Sequence, residues 1–165
     1  MLFLLFHIGN ERYALEARCV VEVIPLLDLK QVPQGPPGLA GLINYRGKPV
    51  PTIDLSHFAL GKPAGEKLST RIILVNCRDE SGEGRLLGLI AEQTTEILRK
   101  NREDFSSAGL GSAVRPFHGP VLMSPEGPIQ LIEEESFLCH SMRKLAFELP
   151  VTASRDGGAP ATEKT

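Results

Sequence analysis

The sequence predicts a mainly β protein folded as a barrel or a sandwich, and three observations carry that prediction. Short β-branched and apolar runs recur along the chain, and turn-forming residues separate them at intervals of roughly 8–12 positions. Three of the separations have hairpin composition: Gly9-Asn10-Glu11, Gly47-Lys48 and Ser124-Pro125-Glu126-Gly127. A length of 165 residues suits one domain, or two small lobes sharing a core, and leaves little room for a separate enzyme domain. Apolar residues at 42% and charged residues at 23% are ordinary for a folded globular chain.

The elements follow in order. Leu2 to Ile8 and Arg12 to Leu15 read as strands joined by the first tight turn. Val20 to Ile24 is β-branched at all but one position, and Pro25 stops it by lacking the N–H that a ladder needs. Val32 to Gly38 contains three prolines and two glycines and reads as a rigid loop. Gly41 to Arg46 and Pro49 to Ile53 flank the second turn, after which Asp54 can cap a short helix through Phe58. Gly61 to Leu68 is polar and carries glycines, as a crossing between lobes would.

Thr70 to Cys77 and Arg85 to Ala91 read as two further strands, and Glu92 to Leu98 alternates in part before the charged turn Arg99 to Asp104. Asn101 to Val114 fits a short helix or a loop. Phe117 to Met123 and Pro128 to Ile132 flank the third turn. From Glu133, the acids at 133–135, then Leu138, Met142, Leu145 and Leu149, and the basic pair Arg143-Lys144 describe an amphipathic helix whose charges match its dipole. Residues 150–165 are small and polar and read as a disordered tail. An internal echo links the halves. Ile53-Asp54-x-x-x-Phe58 and Ile132-Glu133-x-x-x-Phe137 each end a hairpin with an acid that can cap a turn, as two similar lobes would require.

Residues suited to catalysis do not gather. His7, His57, His118 and His140 lack metal-ligand spacing, and Cys19, Cys77 and Cys139 form no C-x-x-C pair, so the thiols read as buried and no metal is expected. Gly82-x-Gly84 followed by Gly88 has the wrong spacing for a dinucleotide loop, and Gly47-Lys48 is followed by proline rather than by the Ser or Thr of a phosphate loop. A net charge of -2 gives no long-range attraction for phosphate backbones. Seven Phe, two Tyr and no Trp sit mostly at apolar positions, which argues against base stacking and so against nucleic acid as a partner. The apolar start, Leu2 to Phe6, is far shorter than the ~20 residues that span a bilayer, so a cytoplasmic protein is expected. What stands out is Arg46, projecting from a hairpin tip beside proline-rich loops.

The segment Gly41-Leu42-Ile43-Asn44-Tyr45-Arg46-Gly47-Lys48-Pro49-Val50-Pro51-Thr52-Ile53-Asp54-Leu55 resembles the core pattern of the CheW family, G-x-I-N-L-R-G-x-x-x-P-x-x-D-L. Val20 to Ile24, Val32-Pro33-x-x-Pro36, Thr70 to Val75, Gly88 to Glu92 and Leu131-Ile132-x-x-x-x-Phe137-Leu138 extend the resemblance over roughly residues 2–140. Three departures stand out: Tyr45 in place of leucine, Ala91-Glu92 in place of valine-aspartate, and Thr94 where an apolar residue is common. They fit a divergent copy serving an accessory chemosensory pathway.

The resemblance implies two intertwined five-stranded SH3-like barrel lobes with a C-terminal helix, over residues 1–149, the lobes meeting near residues 61–69. It implies a non-enzymatic adaptor that needs no cofactor and joins a CheA-type histidine kinase to the cytoplasmic tips of methyl-accepting chemotaxis receptors. Such a protein would lie in arrays at the inner membrane and reach the bilayer only through the receptors. Carried over by position, the receptor-facing residues are Val20, Glu22, Gly41 and Arg46; no kinase-contact residue is assigned. A guanidinium can make a two-pronged bond to a carboxylate, Val20 can line a groove for a helix, and Gly41 can admit that helix close to the backbone. The competing reading is a small β-barrel that binds nucleic acid or a ligand.

Overall fold

A computed structural model describes residues 1–78, 81–107 and 119–133. The chain opens with β1 (Leu2–Ile8), β2 (Glu11–Glu16), a 3₁₀ turn at Ala17–Cys19 and β3 (Val20–Pro25). Then come β4 (Leu39–Tyr45), β5 (Lys48–Asp54) and α1 (Leu55–Leu60). The later part holds β6 (Arg71–Arg78), β7 (Gly84–Arg99), a 3₁₀ turn at Arg102–Asp104, β8 (Val121–Ser124) and β9 (Gly127–Ile132). The expected helix over 133–149 and the tail over 150–165 lie outside the described residues, as do Phe137, Cys139, His118 and His140.

Hydrogen bonding sorts the strands into two SH3-like groups of five. One runs β4-β5-β7-β6-β3 and uses the first half of β7; the other runs β8-β9-β2-β1-β7 and uses its second half. Each group is closed by one isolated bridge. Lys30, beyond β3, pairs with Leu42 of β4, and Ser106, beyond β7, pairs with Val121 of β8. In both groups the second hairpin strand lies parallel to a neighbour, β5 along β7 and β9 along β2. The lobes therefore repeat one topology and are interlocked, because β1 and β2 complete the lobe built around the later hairpin. The echo at Ile53-Asp54 and Ile132-Glu133 marks matching hairpin ends. One constant offset relates Ile43, Val50 and Ile53 to Leu122, Ile129 and Ile132.

Interlocking explains the unbroken apolar run of β1. Successive side chains on a strand point to opposite faces. Phe3 and Leu5 fill the interior of the later lobe, whereas Leu4, Phe6 and Ile8 enter a core between the lobes. Strand β6 does the same: Ile72 and Leu74 face the interior of the first lobe, and Ile73, Val75 and Cys77 face the shared core. Strands covered on both faces lose the apolar–polar alternation of a one-sided sheet.

The two runs read separately as Arg85–Ala91 and Glu92–Leu98 are one strand. β7 changes lobes within its length, and the change is made at Gln93, where φ is 47°. Across from it the register with β1 slips between Leu5 and His7. Thr94 lies buried in this bend, its hydroxyl donating to the Ala91 carbonyl at 3.1 Å and its amide to Ser69 O at 3.0 Å. A threonine thus suits a site whose backbone carbonyl has left the ladder. Residues 61–69 do not make the crossing between lobes read from their composition: they join β5 and α1 to β6 of the same lobe, and they are pinned against this bend, with Gly65 N donating to Glu92 Oε1 at 3.1 Å. Asp54 caps α1 as expected: Oδ1 accepts from His57 N at 3.1 Å, and Oδ2 accepts from Ala64 N at 2.9 Å.

Candidate docking site

The first lobe's hairpin turns on two residues, Arg46 and Gly47, one position earlier than the composition suggested. Both have positive φ, 50° and 82°, the geometry of a turn whose twist matches its flanking strands. Glycine adopts it without penalty, and Arg46 is held there at a cost of about 1–2 kcal/mol. Asn44 stabilises the loop by accepting from Gly47 N at 2.9 Å. This arrangement projects the Arg46 side chain, 77% exposed, beyond the barrel.

The tip leans on β3 across the seam where the barrel closes. The Tyr45 hydroxyl donates to Glu22 Oε2, Arg46 Nη2 lies 3.6 Å from the same oxygen, and the guanidinium sits 5.1 Å from the centre of the Tyr45 ring. The hydrogen bond to Glu22 is the main reason that the Tyr45 phenol is pushed above its ordinary pKa, because phenolate would face a carboxylate; the Arg46 charge opposes the shift. An exposed ion pair and an exposed cation–π contact are each worth up to about 1 kcal/mol, so the cluster orders the tip more than it holds the fold.

Of the four receptor-facing residues expected from the sequence, the fold brings Arg46 and Glu22 together. Gly41 is buried at φ 148°, and a Cβ there would lie 2.5 Å from the Lys30 carbonyl oxygen. The close approach at Gly41 is therefore made by the chain's own closing segment. Val20 packs partly against the core between the lobes. A bulge in β3 makes Val21 the extra residue and leaves it 49% exposed. Sequence reasoning noted Tyr45 only as a departure from a pattern. The signal that could have exposed its role is a phenol next to a turn arginine, on a strand that otherwise takes aliphatic residues.

The matching tip of the later lobe is built differently. Arg12 of β2 donates to Ser124 Oγ at 2.9 Å and pairs with Glu126 at 3.3 Å. A further ionic cluster lies where β2 and β9 end. Buried Glu16 pairs with Arg18 and, at 3.5 Å, with Arg102, which also reaches Glu133 at 2.5 Å. His7, at the slipped register, is held below its ordinary pKa, first by burial and then by Arg12, with Glu92 and Glu96 opposing.

Cys19 and Cys77 are buried. Among the described residues no group of three or more His, Cys, Asp or Glu could hold a metal ion, and no helix is long and apolar enough to cross a membrane. Phe3, Phe6 and Phe105 lie inside the cores, where bases cannot stack on them.

Interlocked SH3-like barrels that present a paired charge on a rigid hairpin define a β-barrel binding scaffold. The family model described as "CheW-like domain" matches residues 2–140, and the chain belongs to that family. It is similar to proteins named "Chemotaxis protein CheW". The one from Treponema pallidum (strain Nichols) is 25% identical over 150 residues, 86% of this chain and 84% of that one. The one from Helicobacter pylori (strain ATCC 700392 / 26695) is 29% identical over 103 residues, 62% of this chain and 59% of its own. Among solved structures, the scaffolding protein TtCheW from Thermoanaerobacter tengcongensis shares the fold with a TM-score of 0.68 at 24% identity, over 80% of this chain and 83% of that one. The chain is thus a CheW-like scaffold of chemotaxis signalling.

Proposed function

We propose that the chain is a non-enzymatic coupling protein that joins a CheA-type histidine kinase to the cytoplasmic tips of methyl-accepting chemoreceptors, and that it works in the cytoplasm within receptor arrays at the inner membrane. The observation that carries this reading is the Arg46 tip, an exposed guanidinium at a fixed place on a rigid hairpin. Such a group can meet a carboxylate or the last carbonyls of a receptor helix with two parallel hydrogen bonds. Glu22, at the same tip, belongs to the docking surface. Val20 and Gly41 support it from below, through the shared core and the closed seam.

The test is a calorimetric titration of a receptor-tip fragment from the same organism. Arg46→Ala keeps the melting temperature and weakens binding by about 1–3 kcal/mol, the usual cost of a lost charge-assisted contact. Equal affinity of the wild type and Arg46→Ala would remove the reading. A salt-dependent shift of the chain with single-stranded oligonucleotide would favour the nucleic-acid alternative instead.

A further inference from the structure

We infer that Tyr45 is a positioning residue of the docking tip: its hydroxyl engages Glu22 and its ring carries Arg46, so that the tip meets a partner as a hydrogen-bond donor selecting an anionic or carbonyl group. This rests on the docking role proposed for Arg46 and adds the residue that sets its chemistry.

The geometry makes the argument. A guanidinium carries five N–H donors in a rigid plane. In this tip Nη2 lies 3.6 Å from Glu22 Oε2 and the guanidinium carbon lies over the Tyr45 ring, 5.1 Å from its centre. The side chain is otherwise largely exposed, which leaves its remaining donors accessible to a partner. Glu22 is the natural competitor for those donors, since a carboxylate prefers the two-pronged arrangement. The Tyr45 hydroxyl competes with this by engaging the same Glu22 oxygen that Arg46 approaches. With leucine at this position, neither the hydroxyl nor the ring would restrain the pair, and Glu22 could turn onto the guanidinium. The phenol also makes Glu22 a poor site for a partner's cation.

The first test needs no partner. Proton NMR of the intact chain should show the Arg46 side-chain protons shifted upfield by the Tyr45 ring, a shift kept in Tyr45→Phe and lost in Tyr45→Leu. The Tyr45 ring carbon, followed against pH, should titrate above the ordinary tyrosine range and move down in Glu22→Ala. An unshifted Arg46 in the wild type, or a Tyr45 titration unmoved by Glu22→Ala, overturns the proposal.

The second test titrates the same receptor-tip fragment. Tyr45→Phe should weaken binding about 3- to 10-fold at an unchanged melting temperature. In a Glu22→Ala background, where the competitor is gone, Tyr45→Phe should have no effect. A Tyr45→Phe loss that persists without Glu22, or that follows a fall in melting temperature, makes Tyr45 a structural residue and overturns the proposal. If Arg46→Ala binds as well as wild type, the docking role fails, and the inference that depends on it fails too, whereas the NMR result still reports the geometry of the tip.

Discussion

The two hairpin tips occupy the same place in the repeated topology and are chemically opposite. In the first lobe the outermost charge is the cation Arg46, tied to Glu22 of β3. In the later lobe it is the anion Glu126, tied to Arg12 of β2. The turn position held by Arg46 is taken by Pro125, and Ser124 stands in the place of Tyr45. The hairpins are alike because they close similar barrels over similar apolar residues. Their tips diverge at the turn residues, which project beyond the cores that the two lobes share in pattern. A duplicated scaffold can thus keep its cores and give each end its own recognition chemistry.

Four experiments bear on that comparison, taken from the largest effect to the smallest. Leu15 and Leu89 are fully buried and hold equivalent places in the shared core. Each change to alanine should cost about 2–5 kcal/mol in urea unfolding, and by similar amounts. Loss at one site with tolerance at the other would break the equivalence of the lobes. Gly41→Ala forces a methyl against the Lys30 carbonyl at a backbone angle that alanine resists. It should cost about 1–3 kcal/mol and speed hydrogen exchange at the Leu42 and Lys30 amides, while the Ser106–Val121 closure of the other lobe stays protected.

Asp54→Ala removes the α1 cap and the tie to Ala64 and should cost about 1 kcal/mol. Measured beside Glu133→Ala, at the matching end of β9, it shows how far the repeat extends into energetics. The smallest effect comes from His7. Its pKa is lower folded than unfolded, so the unfolded state takes up a proton first as pH falls. Its contribution should be complete above about pH 6.5 and be lost as pH falls from there to the folded value. His7→Asn should flatten this part of the stability–pH curve, and an unchanged slope would show that the register slip does not desolvate the ring.

Much of the first lobe and its tip was legible. Hairpin composition located both tips to within one residue, Asp54 announced its cap, and the motif around Asn44–Asp54 pointed to Arg46 as the exposed residue. The bond from Tyr45 to Glu22 was not legible, because it spans 23 positions and depends on a seam that exists only once the barrel has closed. Gly41 was read for its freedom to admit a partner's helix. Its neighbour is Lys30, and no local pattern gives the distance between those two backbones.

Alone, then, the sequence determined which segments are strands, where they turn and which acid caps the helix, because these depend on side-chain alternation and backbone preferences within a few residues. Tertiary structure decided that β7 serves both lobes, that β1 and β2 close the lobe of the later hairpin, and that Tyr45 and Arg46 meet Glu22. Those pairings join residues far apart in the chain. They are chosen by burying the three apolar clusters together, a condition on the whole molecule that no single segment carries.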